Sequence, residues 1–316
     1  MSTYTVLRPS RSVFVPIRLY RYHVRLWGKP GPRPPLVLVH GWMDVAASYQ
    51  FMVDALSHGF FDDRLIIAPD WRGFGQSTGP ACDHYAFADY LGDLDGLLDH
   101  FAGADTPVDL VGHSMGGNVA MMYAGARPGR IRRLINLEGF GMPATRPEQA
   151  PARFAKWMDE IKALQRGEQA LKTYADAAGV AARLMKTNHR LPQAKADWLA
   201  RQWAEPRVEP DGATRWHIRG EAAHRITSAQ LFRVDEMLAL YAAITAPTLV
   251  VEASDDSLGQ WWQRRFTLDE FHQRLQSVPQ CRRTTLPDCG HMLHHDQPQA
   301  LAGLIEDFLT APDAPH

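Results

Sequence analysis

Val108-Asp109-Leu110-Val111-Gly112-His113-Ser114-Met115-Gly116 is the stretch of sequence that decides the fold. An apolar run leads directly into the pattern G-x-S-x-G, and a helical pattern follows over residues 117–124. This order predicts a buried strand, a sharp turn with Ser114 at its tip, and a helix. The flanking positions are glycine because larger side chains would collide in so tight a turn. The turn also places the serine hydroxyl at a helix N-terminus, where free N–H groups favour negative charge.

Short apolar segments alternate with helical patterns along most of the chain. Residues 13–27 alternate apolar and polar side chains, which predicts an antiparallel hairpin with one solvated face. The other strand-like segments are largely apolar runs, at residues 36–39, 65–68, 108–111, 134–137 and 248–251. Such runs are typical of strands covered on both sides. The sequence therefore predicts an α/β fold, with a mostly parallel β-sheet covered by helices on both faces.

The alternation stops between residues 142 and 241, where the sequence contains several helical patterns and no clear strand. We expect this stretch to form a helical cap, inserted after the sixth strand, over the carboxyl edge of the sheet. The predicted organisation is a core domain of residues 1–141 and 242–316, with the cap at 142–241.

Composition narrows the range of partners. The chain has 316 residues, 45% of them hydrophobic, with a formal charge of −1, so no global field favours nucleic acid or an anionic membrane. No signal-peptide pattern or membrane-length apolar run is present. Three cysteines without a C-x-x-C pair indicate reduced thiols and a cytoplasmic location. We expect a monomer or homodimer that acts on a small-molecule substrate.

Metal binding is not indicated by the histidine pattern. The fourteen histidines include the run His294-His295-Asp296, but adjacent side chains at the start of a helix point in different directions. No H-E-x-x-H or comparable spacing occurs. We therefore expect no metal and no cofactor.

A nucleophilic serine needs a general base, and His291 is the first candidate. It follows the strand-like run at residues 282–286, so it lies in a loop at a strand end, where an imidazole can reach a serine at another strand end. His294 and His295 are alternative bases.

Two acids compete to orient the base. Asp256 follows the apolar run at 248–251, and Glu138 ends the run at 134–137. Both are expected at the carboxyl edge of the sheet, where open α/β folds bind ligands. The order serine, acid, histidine holds for either one. Asp256 is favoured over Glu138, and Asp255 is a third choice.

The oxyanion of an acyl-transfer reaction needs two backbone N–H donors. Met115 follows the nucleophile and is expected to supply one of them. Trp42 is expected to supply the other, because it lies in the loop after the apolar run at 36–39 and follows Gly41. We expect Trp42, His113 and Trp157 to line the substrate pocket, which would then be apolar and aromatic.

Taken together, these motifs resemble the α/β-hydrolase superfamily, and the similarity extends from residue 13 to residue 310. The cap and residues 134–141 are similar to the serine-hydrolase-like branch. Some members of the superfamily carry the triad acid at the position of Glu138. The branches that hydrolyse epoxides or haloalkanes have aspartate in place of Ser114. The matching segments are His40-Gly41-Trp42, Asp70-x-Arg72-Gly73-x-Gly75-x-Ser77, Gly112-His113-Ser114-Met115-Gly116-Gly117, residues 247–256 and Gly290-His291.

The resemblance implies a serine hydrolase that cleaves a carboxylic ester, lactone or thioester of a small hydrophobic or aromatic substrate through an acyl-enzyme. An alternative is carbon–carbon bond hydrolysis or cofactor-free perhydrolysis by the same residues. A third hypothesis is a non-catalytic member of the fold that binds a ligand.

Overall fold

The central element of the molecule is an eight-stranded sheet. The computed structural model describes residues 3–312. The strands of this part of the chain are β1 (Arg11–Ile17), β2 (Tyr20–Gly28), β3 (Leu36–Val39), β4 (Leu65–Pro69), β5 (Val108–His113), β6 (Ile131–Leu137), β7 (Thr173–Tyr174), β8 (Ala204–Val208), β9 (Thr214–Ile218), β10 (Thr248–Ala253) and β11 (Cys281–Leu286).

The order of strands in the sheet is β1-β2-β4-β3-β5-β6-β10-β11. Strand β2 runs antiparallel to β1 and β4, and the remaining pairs are parallel. The prediction of a hairpin followed by a mostly parallel sheet is confirmed. Strands β5 and β6 are neighbours, as are β6 and β10, so their carboxyl ends meet at one place on the sheet edge.

Helices cover both faces of the sheet, as predicted. On one face the core includes Leu94 and Val119, and on the other it includes Met52 and Ile305. None of the helices within residues 3–312 has the length and apolar character needed to cross a membrane. The helices are α1 (Gln50–Ala55), α2 (His58–Phe61), α3 (Phe87–Ala102), α4 (Met115–Ala126), α5 (Ala150–Gln165), α6 (Ala177–Thr187), α7 (Gln193–Trp203), α8 (Val234–Ala242), α9 (Ser257–Trp262), α10 (Leu268–Leu275), α11 (Leu293–Asp296) and α12 (Pro298–Thr310).

The inserted segment follows β6, the sixth strand. The sequence predicts that it is entirely helical, and this prediction is wrong. Besides helices α5 to α8, it contains a three-stranded antiparallel sheet in the order β7-β9-β8. Strands β8 and β9 form a hairpin around Pro210-Asp211-Gly212, in which Gly212 has φ = +81°. The Pro-Asp-Gly sequence is a strong turn signal. The strands beside it are short and largely polar, so no apolar pattern indicates them.

Candidate active site

Ser114 lies at the tip of a strained turn between β5 and α4. Its backbone has φ = +54° and ψ = −117°, a conformation that a non-glycine residue rarely adopts. A Cβ on Gly112 would lie 2.3 Å from the carbonyl oxygen of Gly116, and one on Gly116 would lie 2.2 Å from that of Val39. Both positions therefore require glycine, as the motif predicts.

The imidazole of His291 contacts the carboxylate of Glu138. The distance from Nδ1 of His291 to Oε2 of Glu138 is 3.3 Å. Glu138 follows β6 and is 2% exposed. Its carboxylate also accepts hydrogen bonds from the N–H of Ala253, at 2.7 Å, and from the hydroxyl of Ser257. Two donors besides the imidazole thus hold this carboxylate against the base.

Asp256, the acid favoured on sequence grounds, has a different place in the structure. It is exposed, and its carboxylate caps α9 by accepting a 2.7 Å hydrogen bond from the N–H of Gly259. Asp255 forms a salt bridge of 2.7 Å with Arg190. The chain turns from β10 directly into α9, so Glu138, rather than either aspartate, lies against His291 in the structure. The assignment of the triad acid stays a prediction.

Burial disfavours the charged form of both His291 and Glu138. It lowers the pKa of His291 to about 3 and raises the pKa of Glu138 to about 7. In each group the uncharged form is favoured. His291 is consequently neutral at physiological pH, which is the state that a general base requires.

His113 connects the loop of the base to the nucleophile turn. Its Nε2–H donates a 2.8 Å hydrogen bond to the carbonyl oxygen of His291, and the centroids of the two rings lie 4.7 Å apart. Within residues 3–312, the Ser114 hydroxyl forms no hydrogen bond with His291. Catalytic hydrogen bonds are often long without substrate and shorten in the substrate complex.

The two alternative bases are directed elsewhere. His294 and His295 are buried, and the Nε2 atom of each faces the hydroxyl of Ser48, at 3.4 Å and 2.7 Å respectively. Of the three histidines proposed from the sequence, the structure therefore places only His291 against an acid candidate.

The loop after β3 lies directly beside Ser114. A Cβ on Gly41 would be 3.1 Å from the Cβ of Ser114, so glycine is what allows this close approach. The side chain of Trp42 is 52% exposed, and its indole N–H donates a 3.2 Å hydrogen bond to the carbonyl of His224 in the inserted segment. Met115 begins α4 on the other side of Ser114. The assignment of the Trp42 and Met115 N–H groups to an oxyanion hole stays a prediction.

One cluster of buried side chains behind Ser114 could hold a metal ion. Asp44, His113 and His294 each offer one ligand atom, and these atoms lie within 4.8 Å of one another. The carboxylate of Asp44 is 4.0 Å from Nε2 of His294. Ligand atoms around a tetrahedral zinc ion lie about 3.4 Å apart, so this cluster is wider than such an ion requires. The expectation of no metal stays a prediction.

Two further tryptophans have different surroundings. The ring of Trp157 is half-buried and perpendicular to His84, at a centroid distance of 6.2 Å, and its place in the pocket stays a prediction. Trp261 was not assigned a role from the sequence. It is 50% exposed, and its ring is perpendicular to that of His291 at 4.1 Å. The sequence hints at an additional element here, because the 35-residue spacing from Asp256 to His291 is longer than the superfamily commonly shows.

Known proteins with the same fold match this chain over most of its length. Residues 34–298 match the family model of the alpha/beta hydrolase fold. A serine hydrolase-like protein from Danio rerio is 26% identical, over 99% of this chain and 92% of its own length. A cis-3-alkyl-4-alkyloxetan-2-one decarboxylase from Shewanella oneidensis is 26% identical, over 89% of this chain and 83% of its own length.

A solved structure, the thioesterase domain from the curacin biosynthetic pathway, superposes with a TM-score of 0.78. It is 24% identical and covers 94% of this chain and 99% of that domain. The family match spans most of the chain, so this protein belongs to the alpha/beta hydrolase fold family.

Proposed function

We propose that this protein is a serine hydrolase that cleaves a carboxylic ester, or a related lactone or thioester, of a small hydrophobic or aromatic substrate. The observation that carries the proposal is the 3.3 Å contact between His291 and Glu138, next to a strained serine at a helix N-terminus. A nucleophile, a neutral imidazole and a buried carboxylate are the three groups that this reaction needs.

In the proposed mechanism, Ser114 is the nucleophile and His291 is the base. Because Nδ1 of His291 faces Glu138, Nε2 is the nitrogen left for the serine. His291 takes the proton of the Ser114 hydroxyl as the oxygen attacks the carbonyl carbon. Glu138 keeps the proton of the imidazole on Nδ1 and stabilises the imidazolium that forms.

The tetrahedral intermediate carries a negative oxygen, to which the N–H groups of Trp42 and Met115 donate hydrogen bonds. The intermediate collapses when the bond to the leaving group breaks and His291 returns its proton to that group. Water, deprotonated by the same imidazole, then releases the acyl group from Ser114.

The proposed substrate class is supported by the apolar surface beside Ser114. Trp42, in the loop beside Ser114, and Trp261, against His291, each leave about half of their surface exposed, so both indoles offer apolar contact to a ligand. The relative named as a serine hydrolase-like protein is consistent with a nucleophilic serine.

The proposal is tested with a fluorophosphonate probe, whose phosphorus is attacked by an activated serine with loss of fluoride. Peptide mass spectrometry locates the adduct, and Ser114→Ala is the matched control. We expect one adduct, on Ser114, followed by turnover in a panel of esters, lactones and thioesters. A folded protein that binds ligands but gives neither an adduct nor turnover would instead be a non-catalytic member of the fold.

A further inference from the structure

Helix α9 contacts both members of the pair formed by Glu138 and His291. Ser257 is its first residue and donates its hydroxyl hydrogen to Oε2 of Glu138. Trp261 comes four residues later, on the same side of the helix, and packs perpendicular to the imidazole of His291. A single short helix therefore contacts the acid with one side chain and the base with another.

The start of this helix is fixed by a charged cap. The carboxylate of Asp256 accepts the N–H of Gly259, and it leaves no room for a side chain at that position, because a Cβ on Gly259 would be 2.2 Å from Oδ2 of Asp256. The residue expected to orient the base thus fixes the first turn of the helix that carries Ser257 and Trp261.

Trp261 differs from its neighbour in what it contacts. Trp262 is partly buried and packs against the main hydrophobic core. Trp261 instead leaves half of its surface exposed beside His291. The exposed part of this indole lies next to the imidazole that must deliver a proton to the leaving group, so it can contact that group.

We propose that α9 is a clamp over the acid and base, in which Ser257 positions Glu138 and the exposed surface of Trp261 binds an apolar leaving group. This inference rests on the proposed function, since it assumes that His291 protonates the departing oxygen or sulfur. It goes further by assigning the apolar alcohol or thiol of the substrate to Trp261, on the side of His291.

The test for Trp261 is a series of acetate esters of ethanol, butanol, hexanol and cyclohexylmethanol. These alcohols have similar acidity, so the series varies apolar size and leaves the acyl group unchanged. Trp261→Leu is compared with Trp262→Leu, and Trp261→Phe serves as a milder change. We expect Trp261→Leu to lower the preference for hexyl over ethyl, measured as the ratio of kcat/KM values, by roughly tenfold.

Trp262→Leu should leave that ratio as in the wild type. In a series of ethyl esters that differ in the acyl group, the two variants should have the same effect. The inference is overturned if Trp261→Leu leaves the leaving-group preference unchanged, or if it changes the acyl preference as much. Labelling of Ser114 distinguishes failure of this inference from failure of the proposed function. Labelled protein with an unchanged preference contradicts only the clamp, whereas a wild type that takes no label on Ser114 and turns over no ester, lactone or thioester contradicts the proposed function as well.

The test for Ser257 uses two substitutions. Ser257→Ala removes the donor to Glu138, and we expect about a tenfold loss of kcat with little change in KM. Ser257→Thr retains a hydroxyl and should restore most of the rate. A loss that threonine does not rescue, or one that falls mainly on KM, would contradict a positioning role.

Discussion

Nδ1 of His291 lies 3.3 Å from Oε2 of Glu138, a residue separated from it by 153 positions in the sequence. The carboxyl end of β6 and the loop after β11 are brought together because β10 lies between these two strands in the sheet. Glu138 reaches across the end of β10, where the N–H of Ala253 donates to its other carboxylate oxygen. The contact between Glu138 and His291 is therefore a consequence of the strand order.

Substitution of Glu138 should lower kcat much more than substitution of Asp256. Glu138→Gln removes the negative charge that holds the imidazole in one tautomer, and we expect kcat to fall by about 10³-fold to 10⁴-fold. Asp256→Asn should change kcat by no more than about twofold, because asparagine also caps helices well. Steady-state kinetics on one ester, with thermal unfolding to verify the fold, make the comparison. A larger loss in Asp256→Asn would contradict the assignment.

The pH dependence of kcat/KM should follow the protonation of the same pair. Burial raises the pKa of Glu138 to about 7, so activity should decline as the pH falls through that value. The sign follows from the mechanism, since a protonated Glu138 cannot accept the Nδ1–H of His291. The base itself does not limit activity there, because burial lowers its pKa to about 3.

A profile measured from about pH 5 to about pH 9 checks this prediction. Glu138→Gln provides the control, because an amide does not titrate and the acid limb should be absent from its residual activity. A wild-type profile that stays flat across neutral pH would contradict a titrating pair of Glu138 and His291.

Most strands of the eight-stranded sheet could be predicted from the sequence because they contain short, largely apolar runs, as β3 shows at Leu36–Val39. The serine turn could be predicted because its glycines are required by sterics. The sequence could not show which acid lies against His291, since Glu138 and Asp256 both follow strands that end at the same sheet edge. What separates them is the course of the chain after β10, where Asp256 caps α9. That capping contact spans only three residues, and nothing in the strand pattern indicates it.

Adding a methyl group at Gly116 should disrupt the nucleophile turn. A Cβ there would lie 2.2 Å from the carbonyl oxygen of Val39, so α4 and β3 would have to separate. For Gly116→Ala we expect a loss of stability of about 1–3 kcal/mol and slower fluorophosphonate labelling of Ser114. Gly129→Ala is the control, since nothing lies within 4 Å of a Cβ at that position. Equal labelling rates for the two variants would show that the turn tolerates the methyl group.

The loop between β4 and α3 should depend on a buried ion pair. Arg72 donates from Nη2 to Oδ1 of Asp93 at 2.7 Å, and the carboxylate of Asp93 is fully buried. Arg72→Ala would leave that carboxylate with Arg18, at 3.1 Å, and the hydroxyl of Tyr22 as its remaining partners. Because a buried charge would lose its main partner, we expect a loss of about 3 kcal/mol in the free energy of unfolding.

Urea denaturation measures this loss, and Arg127→Ala is the matched control. Arg127 is 62% exposed and lies 3.6 Å from Asp95, so its removal should cost no more than about 0.5 kcal/mol. If the two variants were equally stable, Arg18 and Tyr22 would be sufficient to hold Asp93. A large loss for Arg72→Ala alone would show that the motif Asp70-x-Arg72-Gly73 stabilises the fold through Asp93. The same loop contacts the inserted segment, because the hydroxyl of Tyr85 donates a 2.7 Å hydrogen bond to the carboxylate of Glu221.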